Sequence, residues 1–145
     1  MTIRAQSYRK AINEYMKAAH VTSVACPLLA SMIEEGCPSE EARRLIVREY
    51  VRPLREEKID TLLLGCTHYP LATALIQEEI GPDVTIINPA VACAEDIAAL
   101  LPPWEESHPT RFRFFASDDP ERFKAVGESL LGMSMGKVSL GVPTS

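Results

Sequence analysis

The chain has 145 residues, of which 46% are hydrophobic and 24% charged, and its 20 acidic side chains against 15 basic ones give a formal net charge of -5. That balance belongs to an ordinary folded domain and excludes a disordered or collagen-like chain, and the pI near 5.2 lacks the basic footprint of a protein that grips phosphate backbones. No stretch approaches the ~20 apolar residues that cross a bilayer, and Met1 to Lys17 is charged and amphipathic, so an intracellular (cytoplasmic) protein with neither membrane nor nucleic-acid partners is expected.

Taken in chain order, Ile3 to Lys17 reads as an amphipathic helix through Ile12, Tyr15 and Met16, with no strand before it. Val21–Ala25 is the first strand candidate. Ser39 caps a long helix whose first turn carries Glu40 and Glu41 and whose apolar face runs through Ala42, Leu45, Ile46 and Val51; its arginines, Arg43, Arg44, Arg48, Arg52 and Arg55, form a solvated face. Thr61–Leu64 is the second strand, and a helix starting at Pro70 uses Leu71, Leu75 and Ile76. Val84–Ile87 is the third, followed by a helix after Pro89 that uses Ile97, Leu100 and Leu101 and stops before Pro102 and Pro103. Arg111–Phe115 is the fourth strand. Asp118-Asp119-Pro120 opens a last helix with Phe123, Val126, Leu130 and Leu131 on one face and Gly132 at its end, and a short strand is expected at Lys137–Leu140.

Alternation of short apolar runs with helical periodicity predicts an α/β fold, a Rossmann-like parallel sheet flanked by helices in three layers. The first three strand runs are almost continuously apolar, as in a sheet covered on both faces. A helix that enters such a layout without its strand hints at an incomplete unit.

Cys26, Cys37, Cys66 and Cys93 are widely spaced and form no C-x-x-C pair, which argues against a disulfide framework or a structural zinc site. The most informative stretch is Asp60-Thr61-Leu62-Leu63-Leu64-Gly65-Cys66-Thr67-His68-Tyr69-Pro70, a buried strand that ends at Gly65 and turns towards a helix. Ligands in open α/β sheets sit at the carboxyl ends of strands, beside helix N-termini. A helix N-terminus and a neighbouring imidazole both favour thiolate at Cys66. Gly65 allows close backbone approach, and the Thr67 hydroxyl with the turn amides can hold a carboxylate.

Spacing tests the other roles of Cys66. A phosphatase loop needs arginine where Ala72 stands, and a redox pair needs a second cysteine where Tyr69 stands. Zinc binding by Cys66 and His68 would draw on distant Cys26 or Cys93, and a plain core cysteine is the remaining alternative. His20 and His108 lie in polar surroundings and read as surface residues; Trp104 reads as a packing anchor.

The run Leu64-Gly65-Cys66-Thr67-His68-Tyr69-Pro70-Leu71 resembles the segment around the second catalytic cysteine of the glutamate racemases, cofactor-independent enzymes that supply D-glutamate for bacterial peptidoglycan. Ala25-Cys26-Pro27-Leu28-Leu29 through Ile33-Glu34-Glu35-Gly36, Thr2-Ile3-Arg4 with Ser7-Tyr8, Ile87-Asn88-Pro89-Ala90 and Asp119-Pro120-Glu121-Arg122-Phe123 are similar to further segments of that family. The resemblance implies that Cys66 exchanges a proton with the substrate Cα, acting as base towards L-glutamate, with His68 and Glu34 assisting it. It also implies substrate binding by Gly65, Thr67 and His68, with no cofactor and no metal.

Ser31 and Asn88-Pro89 depart from the family's usual proline and Asp-Ser. The Asp-Ser-Gly strand end and the Cys-Asn-Thr-Ala motif of the family's first lobe are both missing. The resemblance therefore implies a C-terminal portion of a two-lobed fold. Residues 1–88 would form most of the second lobe without its first strand, and residues 89–145 the segment that returns to the first. Such a chain is expected to be inactive alone, and its partners would be glutamate and a homo-oligomer or a complementing N-terminal half. A non-catalytic amino-acid-binding or interaction module of the same fold, or a one-thiol relative such as a decarboxylase, are the alternatives.

Overall fold

The computed structural model describes residues 6–102 and 111–142. Thr2, Ile3 and Arg4 of the opening helix, Pro103, Trp104 and His108 lie outside the described residues. The chain divides into two units, residues 1–95 and 96–145, each described by itself.

In the first unit, helices α1 (Ser7–Tyr15), α2 (Leu29–Glu35) and α3 (Glu40–Glu56) precede strand β1 (Thr61–Leu63). A 3-10 turn (Tyr69–Ala72) runs into α4 (Thr73–Ile80), which leads to β2 (Thr85–Ile87) and then to α5 (Pro89–Leu100), which continues past residue 95. β1 and β2 pair in parallel, Thr61 opposite Thr85 and Leu63 opposite Ile87, with α4 as the crossover. Leu64 extends the ladder by donating to the Ile87 carbonyl at 3.1 Å, so both strands deliver their carboxyl ends to one side.

Local chemistry accounts for the helix borders. The Ser39 hydroxyl accepts from the Ala42 amide at 3.1 Å, with Glu40 and Glu41 in the first turn of α3. Gly36 and Gly81 end α2 and α4 with positive φ of 81° and 110°, backbone conformations that side chains resist.

The core of this unit is Leu29 and Met32 of α2, Val47, Val51 and Leu54 of α3, Leu64 after β1, and Ile76 and Ile80 of α4. The buried stripe on α3 therefore passes through Val47 and Leu54, while Leu45, expected inside, is exposed. The stripe keeps helical spacing, and packing against α2 and α4 selects which of several apolar residues it contains. The arginines also depart from a uniformly solvated face. Glu79 is buried at 6% exposure, and Arg48 grips it with Nε to Oε2 at 2.8 Å, with Arg44 Nη1 at 3.0 Å from Oε1. Arg55 Nη1 donates to the Glu79 carbonyl at 3.3 Å, whereas Arg52 stays on its own helix with Glu49 and Glu56. A carboxylate inside an apolar seam is tolerated because two guanidinium groups satisfy it.

Three further expectations are corrected. Val21–Ala25 is not a strand: it joins no ladder among the described residues, and Val24 packs on the core as part of an irregular connector. Apolar content reports burial there, whereas a strand also needs a hydrogen-bonded partner, and the segment has none among the described residues. The segment after Cys66 opens as a 3-10 turn before α4, which leaves Leu71 exposed. Tyr15 on α1 and Met16 just after it, and Ile97, Leu100 and Leu101 on and after α5, are exposed, although both helices form.

The second unit is another parallel crossover: β3 (Phe114–Ala116), α6 (Pro120–Leu131) and β4 (Val138–Leu140), with Phe114 opposite Val138. β3 begins three residues later than Arg111, because the ladder to β4 sets its limits; Phe112 is exposed and stacks on Phe114 at 6.1 Å. The Asp119 carboxylate accepts from the Arg122 amide at 3.0 Å and Gly132 closes α6 at φ 63°, as the sequence predicts. Phe123, Leu130 and Leu131 stay exposed; α6 instead approaches the loop before β4 through Gly127, where a Cβ would overlap the Met135 sulfur. Glu128 holds that loop by accepting from the Met135 amide at 2.8 Å.

Candidate active site

Cys66 lies just beyond the β1 ladder, at the carboxyl end of the parallel pair, where the chain turns. Its carbonyl accepts from the Tyr69 amide at 3.2 Å, and that of His68 from Leu71 at 3.0 Å, so Cys66-Thr67-His68 forms the lip of the 3-10 turn. Cys66 and His68 are half-buried, Gly65 and Thr67 exposed. The thiol can thus meet solvent-borne groups while its neighbours hold it.

His68 links the turn to α2. Nδ1 lies 3.7 Å from the Cys66 sulfur and 3.4 Å from the Thr67 hydroxyl, and Nε2 lies 2.5 Å from Oε1 of Glu34. A carboxylate only accepts, so Nε2 carries a proton, and in the neutral imidazole Nδ1 faces the thiol as an acceptor. The Thr67 hydroxyl competes for the same nitrogen. Cys66, His68, Glu34, Thr67 and Gly65, picked out from sequence, are thereby brought together.

Tyrosines close the back of the site. The Tyr8 hydroxyl donates to the Gly65 carbonyl at 3.4 Å, and a Cβ on Gly65 would stand 3.0 Å from the Tyr8 ring, a contact that a side chain at this position would crowd. The Tyr69 hydroxyl donates to the Cys26 carbonyl at 3.3 Å. Burial, with the nearby thiols adding, pushes the Tyr69 phenol up to about 12, so it remains a donor at physiological pH. Burial likewise pushes the Cys26 thiol up, opposed by Tyr69 and reinforced by Cys66.

The tyrosines' hydrogen bonds were not legible in sequence, which contains their positions but no periodicity for a phenol-to-carbonyl bond. The Glu79 clamp left a signal: two carboxylates, Glu78 and Glu79, between Ile76 and Ile80, and arginines four apart on α3. Cys37 packs on the core, Cys93 is exposed on α5, and exposed His20 pairs with Glu57 at 3.5 Å. Among the described residues no group of three or more His, Cys, Asp or Glu is arranged to hold a metal ion, and no helix is long and apolar enough to cross a membrane.

No protein-family model matches the chain. Its relatives are unambiguous. It is 41% identical over 138 residues to the glutamate racemase of Syntrophus aciditrophicus, covering 92% of this chain and 51% of that one. The glutamate racemase of Geobacter metallireducens is 40% identical over 94% of this chain and 52% of its own length.

The chain is a part-length relative of the glutamate racemases.

Solved structures agree. A glutamate racemase isoform from Bacillus anthracis superposes with a TM-score of 0.87 at 34% identity, over 97% of this chain and 54% of that one. The Francisella tularensis glutamate racemase, solved in complex with D-glutamate, gives 0.80 at 32% identity over the same shares. The α/β architecture is thus a partial glutamate racemase fold, and the chain spans about half the length of the curated relatives it matches.

Proposed function

We propose that the chain supplies one half of a two-base glutamate racemase site, with Cys66 as its proton-transferring group. The observation that carries this reading is the Cys66–His68–Glu34 relay at the carboxyl end of β1, in a chain homologous to glutamate racemases.

Inverting the glutamate Cα requires a base that removes the proton from one face and an acid that returns one to the other. A thiol serves both roles because the same atom accepts and releases the proton. In one direction the Cys66 thiolate takes the Cα proton, and the electron pair left on Cα delocalises into the α-carboxylate. In the other direction the Cys66 thiol donates its proton to Cα. His68 Nδ1 faces the sulfur in both states, as acceptor from the thiol or, when protonated, as donor to the thiolate, and Glu34 fixes which nitrogen does so. Charge builds on the substrate carboxylate as Cα loses its proton, so the Thr67 hydroxyl and turn amides act as donors to it. The opposite face needs a second thiol or equivalent group, and the chain would then act in a cytoplasmic D-glutamate supply for peptidoglycan, the cell wall and cell shape.

Amide NMR of the chain during titration with D-glutamate tests the placement. Shifts concentrated at residues 65–69 support it, and unchanged resonances there at saturating glutamate reject it.

A further inference from the structure

His68 and Tyr69 are neighbours in sequence, yet they hold opposite ends of one short helix. His68 Nε2 meets Glu34 near the carboxyl end of α2, while the Tyr69 hydroxyl donates to the Cys26 carbonyl at 3.3 Å, at the other end. That carbonyl also accepts from the amide of Leu29, the first residue of α2, at 3.2 Å, so it belongs to the helix's opening turn. A second phenol, Tyr50 on α3, accepts from the Leu28 amide at 3.1 Å. α2 has 7 residues and no side-chain cap. A helix that short has little stability of its own and takes its position from tertiary contacts.

We infer that Tyr69 is a positioning residue for the Glu34–His68 pair: its hydroxyl fixes the start of α2, and the helix carries Glu34 to His68. The inference rests on the proposed role of Cys66 and His68. Glu34 lies about 7.5 Å along the helix axis from Leu29 at 1.5 Å per residue. A small tilt at the first turn is therefore delivered to the carboxylate, and functional constellations tolerate only about 0.5 Å of misplacement. The phenol's resistance to ionisation keeps the donor in place across the working pH range. If the ring merely filled space, loss of the hydroxyl would not be felt at Cys66, because phenylalanine fills the same volume.

The experiment follows alkylation of Cys66 by iodoacetamide at neutral pH, read by peptide mass spectrometry on the full chain, with exposed Cys93 in the same sample as reference. It needs neither turnover nor a second base, so failure of the racemase reading and failure of this one are distinguishable. Glu34→Ala and Tyr69→Phe should each slow Cys66 by about twofold or more relative to Cys93. The double variant should be no slower than Glu34→Ala alone, since groups in one network are not additive. Tyr50→Phe, which frees the Leu28 amide on the same loop, should slow Cys66 in the same non-additive way. A wild-type rate in Tyr69→Phe, or an effect that multiplies with that of Glu34→Ala, overturns the inference.

Discussion

Glu34 on α2 and His68 after β1 meet at 2.5 Å, and that contact turns the other imidazole nitrogen towards the sulfur of Cys66, 3.7 Å away. One carboxylate thereby sets the tautomer that the role proposed for Cys66 requires. The same two residues are far apart in sequence, and only the packing of α2 against the 3-10 turn unites them.

His68→Ala in an assembled racemase should lower kcat by about 10²–10⁴, the usual contribution of a positioned acid or base. Thr67→Val should raise KM and also lower kcat, by less than His68→Ala, because the lost donor serves both the bound carboxylate and the charge that builds on it. Steady-state kinetics in both directions checks the ranking; an unchanged kcat in His68→Ala contradicts it.

Acid should weaken the first unit through Glu79. Its carboxyl is held below the ordinary value of 4.5, first by hydrogen bonding from Arg48, with burial opposing and Arg44 adding to the lowering. A depressed carboxyl stabilises the fold above its unfolded value, and that contribution disappears as pH falls through the folded one. Urea midpoints should therefore drop below about pH 4.5, the ordinary glutamate range. Glu79→Gln should be less stable at neutral pH and show a flatter acid profile; an identical profile counts against the clamp.

Cys26 should react late. Burial raises its thiol pKa, so its thiolate forms at higher pH than in an unstructured peptide, where the ordinary value is 9.0. The pH profile of Cys26 alkylation should lie above that of a Cys26 peptide in urea. A folded-state profile at or below the peptide's would refute the buried setting.

Ile76→Ala should cost about 2–5 kcal/mol, the range for emptying a packed site. Ile76 is 3% exposed and faces the seam between α3 and α4. Leu71→Ala on the neighbouring turn, where the side chain is exposed, should change stability by about 0.5 kcal/mol or less. Equal losses in chemical denaturation would mean that the core is misassigned.

Parallel crossovers were legible because apolar runs and helical spacing are local: β1, β2, β4, α3 and α6 stand where sequence puts them, to within a residue or so. The caps Ser39 and Asp119 were readable for the same reason. Val21–Ala25 was not, since a strand is defined by its partner and an apolar connector has the same composition. Leu45 is exposed and Val47 buried because neighbouring helices choose the buried stripe. The candidate site residues were picked out through a contiguous motif and a family resemblance; the Tyr69–Cys26 bond and the Arg44–Glu79–Arg48 clamp depend on distances that only the fold supplies.

The most direct test is racemisation by this chain paired with the unmatched remainder of the Syntrophus aciditrophicus racemase, followed as interconversion of L- and D-glutamate with solvent deuterium entering at Cα. The assembled pair should interconvert the enantiomers, and Cys66→Ala should abolish that activity while leaving assembly intact. Racemisation that survives Cys66→Ala, or an assembled pair that binds glutamate without exchanging its Cα proton, would contradict the assignment of Cys66 as one of the two bases.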